Sequence, residues 1–137
     1  MSLSNVFHIA ASALTAQSMR LNAVASNLAN ADSAHASTGG GYKAKQVLFQ
    51  SVPMSKSTPW AQGVRMTAVL EDPAPPRMVH DPKHPLADAK GYVAYPNVDP
   101  VEEMVNMISA SRSYQTNAEV MATTKSLLQR TLAIAQS

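Results

Sequence analysis

The chain has no cysteine, which excludes a disulfide, a thiolate nucleophile and a cysteine-based zinc site. Helix breakers are missing from both ends. All nine prolines fall from Pro53 to Pro100, and all five glycines from Gly39 to Gly91. Charge is scarce at the start: from Met1 to Ala31 the one charged side chain is Arg20. No uninterrupted apolar run approaches the ~18 residues of a membrane span. No block of lysine and arginine forms a nucleic-acid stripe, although the formal net charge is +2. Met1 to Met19 lacks the positive charge and the single apolar block of a secretory signal. These features alone point to the cytoplasm, unless a dedicated export route reads another address.

What is present at the ends is periodicity. Leu3, Phe7, Ala10, Leu14, Gln17, Leu21, Val24 and Leu28 are separated alternately by four and three residues. Met104, Met107, Ser111, Tyr114, Ala118, Met121, Lys125, Leu128, Leu132 and Ala135 repeat the alternation. Such a stripe is the seam by which helices wind round one another. Gln17, Ser111 and Lys125 interrupt it. The sequence therefore predicts a mainly α chain with a small β-rich middle. Residues 1–31 form an N-terminal assembly helix, 32–99 a strand and loop segment, and 100–137 a C-terminal assembly helix, the two helices forming a coiled coil.

The first helix has an unusual surface. A helix facing water carries charge on its outer side, and a membrane-surface helix carries Lys and Arg there. This one carries Ser, Asn, Thr, Gln and Ala, which suits close approach by other helices. Neither helix needs to be stable alone, since packing supplies most helical stability. The second helix has a start signal: Asp99 as N-cap, Pro100 at the first position, then Glu102 and Glu103 at the positive end of the helix dipole. Capping accounts for those two glutamates better than an acid/base or metal role. Val101, Val105 and Ile108 add apolar surface beside the stripe, so the first turns are expected to touch two neighbours.

In the middle, Asp32 to Gly41 reads as a loop. Tyr42 to Phe49 is a strand candidate with Val47 and Phe49 on one face. Val64 to Leu70 alternates, with Val64, Met66, Ala68 and Leu70 on one side. Arg77 to His80 and Tyr92 to Tyr95 are shorter candidates. The prolines between them favour turns and edges, giving antiparallel strands that lean on a helix.

Chemistry is not signalled. Gly39-Gly40-Gly41 lacks the Gly-Lys-Ser/Thr of a phosphate loop. His80, Asp81, His84 and Asp88 are metal-ligand types, but they lie among prolines and off any helix that would align them. No serine sits in a nucleophile elbow. No catalytic residue, cofactor site or metal site is expected.

Certain segments carry a resemblance. Asn27-Leu28-Ala29-Asn30-Ala31, a polar loop and Tyr42-Lys43-Ala44-Lys45 resemble the N-terminal signature of bacterial flagellar rod and hook proteins. Asp88 to Val93, Pro96-Asn97-Val98-Asp99, Glu103-Met104-Val105 and Ala110 to Asn117 resemble the approach to the last helix in proximal-rod subunits of that family. Gly39-Gly40-Gly41 departs from the Thr-Pro-Gly type of turn found in many relatives, and the loop from Asp32 is longer.

The resemblance implies a structural subunit of the periplasmic rod of the basal body, exported without a cleaved signal peptide. It would polymerise through its terminal helices into a helical drive shaft that transmits torque and surrounds the export channel. Its partners would be copies of itself, other rod proteins, and the rod-junction and export-gate region. The expected assembly interface comprises Leu3, Phe7, Leu14, Leu21, Val24 and Leu28 with Met104, Met107, Tyr114, Met121, Leu128 and Leu132. Asn27, Asn30, Gln115 and Asn117 are the candidates for hydrogen bonds between helices. A cytoplasmic helical adaptor or export chaperone is the competing reading, because it too would show heptads and no active site.

Overall fold

Free of proline and glycine, the first stretch folds into a 28-residue helix α1, Leu3–Asn30. The computed structural model describes residues 3–36, 39–54 and 59–135. Four strands follow: β1 Lys45–Pro53, β2 Gln62–Glu71, β3 Arg77–His80 and β4 Tyr92–Tyr95. A 36-residue helix α2, Pro100–Ala135, closes the chain. Asp99 starts it as the sequence implies, its Oδ1 accepting the Val101 N–H at 2.8 Å and the Glu102 N–H at 3.4 Å.

The strands form two separate antiparallel pairs, β1 with β2 and β3 with β4. β3 and β4 match the two short segments read from the sequence. β1 begins later than expected, at Lys45, so Tyr42 is not part of it. The register shifts between Leu48, paired with Ala68, and Phe49, paired with Met66, which leaves Thr67 as an extra residue in β2. A bulge of this kind breaks the two-residue alternation. Val47 and Phe49 keep one face, but Val64, Met66, Ala68 and Leu70 do not. Val69 opposes Val47 and, with Met66, lines a groove beside Met19 and Ala23 of α1. Leu70 is left exposed.

The core is made of small residues. Ala10, Ala16, Ala31, Ala44, Ala61, Ala94 and Ala110 are buried, with Val24, Val93 and Val98. Ala31, Ala44 and Val98 pack together, with Tyr42 against them. Buried alanines on both helices, Ala10 and Ala16 on α1 and Ala110 on α2, allow packed elements to approach closely. Arg20 of α1 bonds Asn106 of α2, and Asn27 lies beside Glu103. Falling numbers on α1 thus meet rising numbers on α2, and the helices run antiparallel. At about 1.5 Å per residue α1 is about 42 Å long and α2 about 54 Å.

Backbone conformation fixes the glycine loop. Gly39 and Gly40 have φ of 105° and 93°, a region that other residues rarely adopt. Ser37 and Thr38 of the predicted loop lie outside the described residues. A bridge between His35 and Ala94 ties this loop to β4, the His35 N–H donating to the Ala94 carbonyl at 2.9 Å.

Candidate assembly interface

The middle is fastened to the helices by side chains that imitate backbone. Asn27 is buried, and its Oδ1 accepts the Lys45 N–H at 2.8 Å while its Nδ2 donates to the Lys45 carbonyl at 2.9 Å. The Tyr42 hydroxyl donates to the same Oδ1 at 2.9 Å. Asn97 repeats the device. Its Oδ1 accepts the Ala44 N–H at 2.9 Å, and its Nδ2 donates to the Asp72 and Ala74 carbonyls at 3.4 and 3.3 Å. Ser12 joins α1 to β2, its Oγ donating to the Ile9 carbonyl at 2.7 Å and accepting the Val64 N–H at 3.1 Å. Without these bonds, amide and carbonyl groups at the strand starts would lose water and gain nothing.

Those contacts reassign some polar candidates. Within one chain Asn27 serves the start of β1 and also hydrogen-bonds the Glu103 carboxyl on α2. Asn30 donates to Ser26 O at 2.8 Å, and Asn117 to Ser113 O at 2.8 Å, both inside their own helices. A short side-chain amide four residues along a helix reaches the free lone pair of that carbonyl. Gln115 is exposed.

The apolar candidates divide by position. On α1, Val24 is buried, and Leu3, Phe7, Leu14, Leu21 and Leu28 are half-buried. On α2, Met107, Met121 and Leu128 are half-buried, whereas Met104, Tyr114 and Leu132 are exposed. Past Pro100, the residues of the first half of α2 that are not exposed are Met107 and Ser111 and a row made of Glu103, Asn106, Ala110, Ser113 and Asn117. That row follows the same alternation of three and four, displaced from the apolar stripe. α2 therefore turns a small, polar face to α1 and leaves large apolar residues outside. At about 100° per residue, Val101, Met104, Val105 and Ile108 lie opposite that inner face. They are 69%, 52%, 61% and 56% exposed.

Such an arrangement inverts that of a self-sufficient globule, in which large apolar residues are inside and contiguous apolar patches outside are small. The accessible surface is 9040 Å² for 14.6 kDa. A compact monomer of that mass has about 6,900 Å². The difference exceeds the roughly 1,600 Å² that a specific protein interface covers.

The metal-type residues are engaged in turns. Asp81 Oδ1 accepts the Lys83 N–H at 3.2 Å, and His84 Nδ1 accepts the Leu86 N–H at 3.1 Å. Asp88 Oδ1 accepts the Lys90 and Tyr92 N–H groups at 2.8 and 2.9 Å. Tyr92's N–H foremost holds the Asp88 carboxyl below the usual aspartate range, Lys90's N–H and charge adding to it against a smaller effect of burial. His80 packs edge-on to Tyr92, with ring centroids 5.0 Å apart. Sequence reasoning named Asn97 within a motif but gave it no task, and it missed Ser12. A polar residue that bonds backbone 52 positions away leaves no local signal.

Two family patterns match the chain. Residues 7–34 match the pattern described as flagella basal body rod protein. Residues 89–134 match that described as flagellar basal body rod FlgEFG protein C-terminal. Among curated relatives, the flagellar basal-body rod protein FlgC of Yersinia enterocolitica is 57% identical, over 99% of this chain and all of the relative. FlgC of Salmonella typhimurium is 54% identical over 99% of this chain and all of its own. FlgC of Borreliella burgdorferi is 36% identical over 99% of each. These relatives are rod proteins, not adaptors or chaperones.

Proposed function

The chain belongs to the family of flagellar basal-body rod proteins, and from that premise we propose how its surfaces build the rod. It is a structural subunit of the basal body, assembled with other rod proteins, and not an enzyme. We propose a proximal-rod position in the periplasm, reached without a cleaved signal peptide. In that position the two helices of each copy stand among those of neighbours and surround the export channel.

The observation that carries this reading is the outward row Val101, Met104, Val105 and Ile108, together with the excess of surface. α2 is eight residues longer than α1. By its rise it runs about 12 Å past Leu3, presenting Leu132 to a neighbouring subunit. Apolar contacts along such helices are non-directional and add over many subunits, which suits a shaft under torque. Unlike faces meeting head to tail generate an open helical filament instead of a closed ring. The half-buried leucines of α1 and Met107, Met121 and Leu128 of α2 add further apolar surface to the interface. Rod-junction and export-gate components are the further partners at the rod's inner end.

The test is amide hydrogen exchange in the isolated chain and in basal bodies. Residues 128–135 should exchange rapidly in the isolated chain and become protected in the rod. Equal exchange in both would remove the overhang from the interface.

A further inference from the structure

α1, β1 and the start of α2 meet at a hollow lined by Arg20, Val24, Lys45, Glu102, Glu103 and Asn106. Glu103 reaches into the junction, where Asn27 hydrogen-bonds its carboxyl group, but its Oε2 is buried without a hydrogen-bond partner. The charged groups around it come from all three elements: Arg20 on α1, Lys45 on β1 and Glu102 on α2. Neither cation pairs with Glu103. Arg20 Nη2 donates to Asn106 Oδ1 at 3.1 Å, and the Lys45 ammonium stands 5.3 Å from the centre of the Tyr42 ring. Among the described residues the ion pair formed is Arg77 with Asp32, at the surface.

We propose that Glu103 makes this three-way junction a proton-sensitive joint, held more firmly in mild acid than at neutral pH. A charged oxygen enclosed without a partner is costly, and a proton removes that cost. Burial foremost raises the carboxyl above its usual 4.5, opposed next by a hydrogen bond from Asn27; Glu102 adds to the rise and Arg20 opposes it, both less than Asn27. The sign follows. A raised native value means the folded chain holds the proton more tightly than the unfolded chain. The contribution is fully present below the unfolded value and is lost as pH rises through the folded one. Lys45, whose N–H and carbonyl are held by Asn27, reports on the same joint.

The experiment compares the full chain with Glu103→Gln by thermal unfolding between pH 7 and pH 4. Glu103→Gln should melt higher at pH 7, with the gap closing as the carboxylate of the wild type takes its proton. A variant that melts at or below the wild type at pH 7, or a gap that does not change with pH, overturns the proposal. Should Glu103→Gln not fold, a carbon NMR titration of the Glu103 carboxyl in the wild type decides. A midpoint above the ordinary glutamate value sustains the joint, and an ordinary or lower one removes it. Exchange of the Lys45 amide, corrected for intrinsic rate, should slow severalfold from pH 7 to pH 4.5 in the wild type and stay constant in Glu103→Gln.

Discussion

Asn27 grips Lys45 as a neighbouring strand would, taking its N–H at 2.8 Å and giving to its carbonyl at 2.9 Å. A single amide on α1 therefore sets where β1 starts. A side-chain amide suits this task because it presents a donor and an acceptor side by side, as a backbone peptide does.

Asn27→Ala would leave both backbone groups of Lys45 without partners and the Tyr42 hydroxyl with Ser26 Oγ alone. The expected loss is about 2–3 kcal/mol, since each unpaired buried group costs roughly 1–3 kcal/mol and water recovers part of it. Urea unfolding measures it. Stability within error of the wild type would mean that water replaces the amide fully.

Gly41 lies against His35. A Cβ built at Gly41 would stand 2.1–2.2 Å from atoms of the imidazole ring. Gly41→Ala should force the ring out and destabilise the chain by about 1–3 kcal/mol, the usual cost of overpacking. His35→Ala in the same chain should restore much of the loss. Failure of the second change to rescue the first would locate the strain in the loop backbone.

Val105→Asp and Ile108→Asp place a charge on the outward row of α2. Both positions are exposed, so the isolated chain should keep its stability within about 0.5 kcal/mol. Rod assembly and motility should fail. Leu21→Asp is expected to differ, because Leu21 is half-buried within the chain; it should lower the stability of the monomer as well. Normal motility of Val105→Asp and Ile108→Asp would remove this row from the interface.

Asp88 titrates in the sense opposite to Glu103. Its lowered native value means that its contribution is present above the unfolded aspartate value and is lost as pH falls through the folded one. Below the usual aspartate range, the β3–β4 turn should loosen. The Tyr92 amide, which donates to Asp88 at 2.9 Å, should lose protection there in the wild type and show no such pH step in Asp88→Asn. The same step in the variant would assign the loosening to another group.

Ser12→Ala should cost about 1 kcal/mol, because the Val64 N–H loses its acceptor. The loss should appear as faster exchange along β2 with α2 unaffected. A change spread evenly over the chain would indicate that α1 itself had moved.

The sequence by itself determined that both ends are helical and where α2 starts, because the absence of proline and glycine and the Asp99 cap act locally. It determined β3 and β4 for the same reason: prolines bound them closely. The Asn27 segment was legible as a motif, and its type of protein with it. Tertiary structure alone decided which face of α2 turns inward. An apolar stripe marks surface that must be covered, but not by whom. Here α1 is met by Glu103 and Asn106, on a row that continues through Ala110, Ser113 and Asn117, and the apolar Val101, Met104, Val105 and Ile108 remain outside. Tertiary structure also decided the bulge at Thr67, since one extra residue in β2 is defined only by pairing with β1. The tasks of Asn27, Asn97 and Ser12 depend on backbone groups distant in sequence, which become neighbours only when the chain folds.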